Sequence, residues 1–320
     1  MTRPAKTVHL DCDTGIDDAM ALLYLLLNPL VEMTGISTVF GNISATTAAS
    51  NCLRILELTG QTTIPVAQGA ERTIRGDEPQ LAPHVHGDDG LGNTGLPAPR
   101  TATSSMTAAE LIIDTARRRP GEVHIVATGP LTNLAAALAT EPHLPDLIQG
   151  VTVMGGAADA PGNQSAAAEA NILHDPEAAS AVFSAPWLVT LVPLDVTMRE
   201  LLTERHRARL LAGGEIARFV GQITDFYFDF FHAESFSERC SPCHDALAAA
   251  IAVGEVTPAS APTINVQVDC SSGPSRGATI CDTRGRYKNF PEQPGAHCRV
   301  VLETDGTFPD LLVQRLLDVR

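Results

Sequence analysis

Leu10-Asp11-Cys12-Asp13-Thr14-Gly15-Ile16-Asp17-Asp18-Ala19 sets four carboxylates within eight residues. Thr7-Val8-His9-Leu10 before it reads as the start of a strand. Met20-Ala21-Leu22-Leu23-Tyr24-Leu25-Leu26-Leu27 after it reads as a buried helix, closed by Asn28-Pro29. One aspartate at such a junction is an ordinary cap, because its oxygen accepts an unpaired backbone N–H. Four repel one another, and once partly buried they must be protonated or paired with a cation. The whole chain holds only two lysines, Lys6 and Lys288, so a metal ion is the better partner. The junction reads as a metal-dependent active site.

At 320 residues the chain can bury a full core. Its formal charge of −15, from 37 acidic and 22 basic residues, argues against nucleic-acid or anionic-membrane partners, which require basic patches. The basic run Arg117-Arg118-Arg119 precedes Pro120 and suits a helix C-terminus better than a phosphate grip. No charged-then-apolar leader opens the chain, and no apolar run reaches the roughly 18–20 residues that span a bilayer. A soluble, cytoplasmic protein is expected. The seven cysteines are an odd, scattered set that reads as reduced thiols. Cys240-Ser-Pro-Cys243 has the spacing of a zinc or redox pair, but no second CxxC follows it.

Short apolar strands alternate with amphipathic helices. Strands are expected over 7–12, 31–39, 64–67, 122–127, 149–154 and 187–193. Helices are expected over 17–28, 45–59, 106–119, 131–140, 175–184, 199–211 and 215–231. The alternation predicts an α/β fold: a single domain over 1–320 with an open, mostly parallel (Rossmann-like) sheet and helices on both faces. Residues 68–104, polar and rich in glycine and proline, predict a mobile active-site loop or a disordered segment. Residues 255–305, including Ala278–Arg286, read as extra short strands. Ligands of such sheets sit at the carboxyl ends of the strands, where the remaining informative residues fall.

Each of those residues has a plain structural reading as well. Gly41-Asn42 makes a good turn, yet its place after Thr38-Val39-Phe40 sets the Asn42 amide at the ligand edge. Thr128, in Val126-Ala127-Thr128-Gly129-Pro130, is either turn chemistry or a carbonyl or hydroxyl aimed into the crevice. Met154-Gly155-Gly156, Gly162-Asn163 and Glu169-Ala170-Asn171 follow an apolar strand, and the Asn, Glu and Asn side chains suit sugar hydroxyls. Asp175-Pro176 is a helix start. His244-Asp245 opens another helix and is a cap or a site.

Taken together, these segments resemble the inosine-uridine nucleoside N-ribohydrolase family. Its DxDxGxDDA hallmark stands here as Asp11–Ala19. The Gly-Asn, Thr-Gly-Pro-Leu-Thr-Asn, Met-Gly-Gly, Glu-x-Asn and His-Asp elements follow in the family's order, from about residue 7 to about 302. The resemblance implies hydrolysis of ribonucleosides to free base and ribose, with Ca²⁺ as cofactor and a homo-oligomeric state. It implies metal ligation by Asp13, Asp18, the Thr128 carbonyl and Asp245, with Asp13 also activating a Ca²⁺-bound water. By the same resemblance Asp17, Asn42, Asn163, Glu169 and Asn171 hold the ribose, with Met154 nearby. His244 serves the leaving group, and His86 of the long loop covers the nucleobase. The chemistry agrees: N-glycosidic cleavage passes through an oxocarbenium-like sugar, and the departing base needs a proton or a strong hydrogen bond.

The chain departs from the family's pattern at Thr14, where proline is common, and at Ala170, where relatives often carry an aromatic residue. The aromatic helix Phe226–His232 is a place for base contacts. Two other readings compete. Asp11-x-Asp13-Thr14 also resembles the nucleophile motif of haloacid-dehalogenase-type phosphatases, with Asp11 attacking phosphorus, but that chemistry wants a lysine and an acidic pair that the chain does not supply. A catalytically silent binder of nucleosides or ADP-ribose-like ligands is the other.

Overall fold

The computed structural model describes residues 6–318. Along the chain, β1 (Lys6–Cys12) leads into α1 (Ile16–Leu26), and β2 (Val31–Thr38) into α2 (Ala45–Thr59). After β3 (Val66–Gln68) a long excursion carries the single turn α3 (Pro83–His86) before α4 (Ala108–Arg118). Next come β4 (Val123–Ala127), α5 (Thr132–Thr140), α6 (Leu144–Leu147) and β5 (Gly150–Met154). They are followed by α7 (Ala170–His174), α8 (Pro176–Ser184), β6 (Val189–Val192) and α9 (Leu194–Thr197). The chain continues with β7 (Leu201–Thr203), α10 (Glu204–Leu211), α11 (Glu215–Glu234), β8 (Cys240–Pro242) and α12 (His244–Ala252). The last elements are β9 (Thr263–Ile264), β10 (Val266–Val268), β11 (Thr279–Cys281), β12 (Cys298–Val300) and α13 (Phe308–Leu317).

Eight strands form the main sheet in the order β3-β2-β1-β4-β5-β6-β12-β9. Every pairing in it is parallel except that of β12 with the edge strand β9. Strands buried on both faces are nearly all apolar, as in Val123–Ala127 and Gly150–Met154. One core lies on the face covered by α1, α2, α11, α12 and α13, and a second on the face covered by α4, α5 and α8. All eleven residues of α1 are buried, which explains why its sequence has no polar stripe beyond its first turn. Its large apolar side chains each contribute about 1.5–3 kcal/mol of burial free energy. The chain leaves β1 towards β2 and β3, then crosses to the other side of β1 to lay down β4. This reversal opens a crevice between the carboxyl ends of β1 and β4, the usual ligand position in such sheets.

The α/β architecture is the one expected, and apart from the segments below the ends of the expected elements shift by at most three residues. Two segments differ in kind. Residues 199–211 form no single helix: Leu201–Thr203 pair antiparallel with Cys240–Pro242, and the helix starts only at Glu204 after the Thr203 cap. The expected strand near Ala278–Arg286 ends at Cys281 and turns into a 3₁₀ segment at Thr283–Lys288. Residues 68–104 have few regular elements but are pinned to the body. Leu91 is fully buried in the core, Ala82 N donates to the Asn42 carbonyl, and Asn51 Nδ2 donates to the Asp89 carbonyl. All seven cysteines are free, and Cys240 and Cys243 join no cluster of metal-ligating side chains among the described residues. No helix among those residues is long and apolar enough to cross a membrane.

Candidate active site

Asp13, in the turn after β1, and Asp17 and Asp18, in the first turn of α1, stand at the switch-point crevice, and Asp245 reaches them from the first turn of α12. Asp17, Asp18 and Asp245 each offer an oxygen within 4.8 Å of the other two. Asp13 stands outside that trio, with both oxygens held by Asn42: the backbone N–H at 2.6 Å and the side-chain amide at 3.1 Å. The same amide reaches Asp18 Oδ2 at 3.1 Å, so Asn42 bridges the two carboxylates. Asp18 also accepts from Gly15 N and from the Thr128 hydroxyl, at 2.8 and 2.7 Å. Asp17 Oδ2 accepts the Tyr227 hydroxyl at 3.0 Å, while its Oδ1 is buried without a hydrogen-bond partner.

Two glycines make this density possible. A Cβ on Gly41 would lie 2.0 Å from Asp13 Oδ2, and one on Gly15 would lie 2.5 Å from His86 Nδ1 and 2.6 Å from Asn42 Nδ2. Any side chain at either position would displace the polar groups it meets.

No lysine or arginine pairs with Asp13, Asp17, Asp18 or Asp245 among the described residues. Burial therefore dominates their ionisation. It holds Asp13, Asp18 and Asp245 above the usual carboxylate range, reinforced by neighbouring carboxylates, and lifts Asp17 to about 6. An all-oxygen cluster with an orphaned carboxylate oxygen and no basic partner is one that a metal ion fits.

Asp11, the fourth carboxylate of the motif, points elsewhere. Its Oδ1 accepts from Ser37 and Asn133 at 2.6 and 2.8 Å, and it is 1% exposed. It braces β1 against β2 and α5 and cannot attack a substrate, which removes the phosphatase alternative.

The other expected residues surround one cavity of about 1490 Å³. Asp17, Asn42, His86, Thr128, Met154, Asn163, Glu169, Asn171, His244 and Asp245 line it, while the fully buried Asp13 and Asp18 stand behind that wall. Asn171 donates its amide to the carbonyls of Thr128 and Met154, at 2.9 and 3.2 Å. Glu169 caps α7 and takes the backbone N–H groups of Asn171, Ile172 and Gly156. Burial nonetheless lifts its carboxyl to about 7. Asn163 sits on the exposed rim and accepts the N–H of Ala170.

His86 is buried. Its Nδ1 accepts the first N–H of α1, from Ile16, and lies 3.9 Å from Asp17 Oδ1. The long loop thus brings it down beside Asp17 and against the Tyr227 ring, 5.3 Å between centroids. His244 Nδ1 lies 2.8 Å from the Thr197 hydroxyl. Burial lowers the two imidazoles, His86 to about 4 and His244 to about 3, so both are neutral near pH 7.

Tyr227 is the site residue that the sequence does not single out. It lies on α11, 210 positions from the Asp17 it touches. The only signal was its membership of the aromatic run Phe226–His232, of which Phe230 and Phe231 also line the cavity.

The sequence profile of the inosine-uridine preferring nucleoside hydrolases matches residues 8–308. A pyrimidine-specific ribonucleoside hydrolase RihA of Citrobacter koseri is 36% identical over 318 residues, covering 98% of each chain. A probable uridine nucleosidase 1 of Oryza sativa subsp. japonica is 41% identical over 227 residues, 71% of this chain and 70% of that one. Among solved structures, the plant nucleoside hydrolase PpNRh1 superposes with a TM-score of 0.91 at 32% identity, covering 99% of this chain and 100% of that one.

Proposed function

The chain belongs to the inosine-uridine preferring nucleoside hydrolase family and hydrolyses the N-glycosidic bond of ribonucleosides, and from that premise we propose that pyrimidine ribonucleosides, uridine first, are its substrates. The base preference is drawn from the relatives of Citrobacter and rice. The assignment of the site rests on one observation above others: Asp17 Oδ1, buried and unpartnered, beside Asp18 and Asp245.

The hard oxygen donors favour Ca²⁺, which Asp13, Asp18, the Thr128 carbonyl and Asp245 would hold, leaving the free oxygen of Asp17 for a ribose hydroxyl. When bound, such an ion neutralises the cluster and supplies Lewis acidity towards a water molecule. Asp13 is the base that takes a proton from the attacking water, and the two hydrogen bonds from Asn42 fix its orientation.

Asp17, Asn42, Asn163, Glu169 and Asn171 hold the ribose hydroxyls, and Met154 packs beside them. Carboxylates around the ring stabilise the positive charge that grows on the sugar as the bond lengthens. His244 gives the departing base its hydrogen bond. His86, carried on the long loop, shields the reacting centre from bulk water.

The test is free-ribose release from uridine, cytidine, inosine, adenosine and guanosine, with Ca²⁺ and after chelation, alongside Asp13→Ala. Pyrimidines ahead by about tenfold or more in kcat/KM, with loss of activity on chelation and in the variant, would support the reading. Inosine leading the panel would overturn the base assignment. Release that survives chelation would overturn the metal, and an active Asp13→Ala would overturn the base.

A further inference from the structure

The two ring nitrogens of His244 have different surroundings. Nδ1 meets the Thr197 hydroxyl at 2.8 Å, whereas Nε2 has no protein partner among the described residues and belongs to a side chain that lines the cavity. Thr197 is fully buried, and His244 Nδ1 is the one hydrogen-bond partner of its hydroxyl among those residues.

Were the imidazole proton on Nδ1, it would donate to the threonine oxygen. The hydroxyl hydrogen would then be buried with no acceptor, at the full desolvation penalty of that group. The arrangement that satisfies both groups has the hydroxyl donating to Nδ1. The proton of the neutral ring then sits on Nε2.

Thr197 is itself firmly placed. The backbone N–H groups of Val196 and Thr197 both donate to the Pro193 carbonyl at 3.2 Å. Two residues before Thr197, the Asp195 carboxylate accepts the backbone N–H groups of Ala158, Asp159 and Ala160 at 2.8–3.0 Å. α9 is thereby bolted to the loop after β5. The sequence between Pro193 and Arg199 thus carries a carboxylate that anchors the turn and a hydroxyl that meets the histidine.

We propose that Thr197 is a positioning residue for cleavage: its hydroxyl selects the His244 tautomer that presents Nε2–H to the departing base. The step rests on the reading above, in which His244 serves the leaving group. Thr197 touches no substrate and acts only through the ring.

The experiment compares wild type, Thr197→Val, Thr197→Ser and His244→Ala in the Ca²⁺-loaded enzyme on two substrates. Uridine has a base that leaves poorly without a hydrogen bond. p-Nitrophenyl β-D-ribofuranoside releases a stable phenolate that needs none. Thr197→Val should lower kcat on uridine about 10- to 100-fold with little change in KM, yet alter the nitrophenyl riboside less than about threefold. Thr197→Ser, which keeps the hydroxyl, should restore uridine turnover to within about threefold of wild type. Nitrogen-15 NMR, with the His244 signals assigned by their absence in His244→Ala, should show Nε2 protonated in wild type and that preference lost in Thr197→Val. This readout needs no turnover.

Equal losses on both substrates with an unchanged tautomer would overturn the proposal and leave Thr197 a packing residue. An unchanged uridine rate in Thr197→Val would overturn it too. If His244→Ala discriminates between the substrates and Thr197→Val does not, the proposal alone fails. If His244→Ala shows no discrimination, the leaving-group role of His244 falls, and the proposal with it.

Discussion

Replacing Tyr227 by phenylalanine removes one oxygen from the wall of the site. The ring is 2% exposed and packs at 5.3 Å from the His86 centroid and 4.8 Å from that of Phe231, contacts that phenylalanine keeps. The loss is the 3.0 Å hydrogen bond to Asp17 Oδ2. Because Oδ1 already lacks a partner, the variant leaves the carboxylate free to swing and poorly solvated. A hydrogen bond to a charged group is worth about 1.5–3 kcal/mol. At 1.36 kcal/mol per decade this corresponds to a fall of roughly 10- to 100-fold in kcat/KM for a ribonucleoside. Steady-state ribose release measures it, with 2′-deoxy- and 3′-deoxyuridine as controls. On the proposed role of Asp17, the analogue lacking the hydroxyl it would hold should lose little further activity in the variant, since that interaction is already gone. A kcat/KM within twofold of wild type, in a protein whose circular dichroism is unchanged, would refute the placement of Asp17 on the ribose.

Three further outcomes are expected. Metal binding should stabilise the fold: at about a hundredfold over Kd the linkage term is about 2.7 kcal/mol. At roughly 2.1 cal/mol/K per residue for a chain of 320 residues, that raises Tm by about 4 °C. Differential scanning fluorimetry of chelator-treated protein titrated with Ca²⁺ checks this, and a flat Tm would count against the cluster as a cation site. Gly41→Ala should cut kcat/KM about 10- to 100-fold, since its Cβ would lie 2.0 Å from Asp13 Oδ2 and the carboxylate must leave Asn42. Wild-type kinetics in that variant would sink the argument. At the start of α8, the Arg276 and Arg75 guanidiniums hold the Glu177 carboxyl down at about 2, against an ordinary 4.5. A folded pKa below the unfolded one means stabilisation that is present above pH 4.5 and lost as pH falls towards 2. Urea midpoints of Glu177→Gln should therefore fall less steeply than wild type across that window, and parallel curves would contradict the pairing.

Much of the site could be read from the chain because the sheet is parallel. Each strand delivers its next residue to the same edge, so Asp13 after β1, Asn42 after β2, Thr128 after β4 and Met154 at the end of β5 needed only the strand ends to be placed. What escaped depends on partners distant in sequence. Residues 199–203 carry a pattern that a helix could share, and only the pairing of Leu201–Thr203 with Cys240–Pro242 makes them a strand. Asp11 looked like one more member of a repelling cluster, but it lies within β1, where Ser37 of β2 and Asn133 of α5 take its carboxylate, whereas Asp13 lies past the end of the strand. Tyr227 was one aromatic among several on α11. Nothing local distinguishes the residue that faces Asp17 from those that fill the core. The loop at 68–104 lacks periodicity, so the burial of Leu91 and His86 was invisible until the body they pack on was known.

The tightness around Gly15 and Gly41 also bears on how a protein of this kind can change. At these two positions substitution is closed, because a carbon atom added to the backbone lands on Asp13, Asn42 or His86. Leu81, Ala170 and Phe230 also line the cavity, with side chains that have no bond to the carboxylates. Drift there reshapes the room available to the base while the apparatus that breaks the glycosidic bond stays as it was. Variants selected for a new nucleobase should accumulate at such positions, each reachable by one codon change without passing through an inactive intermediate.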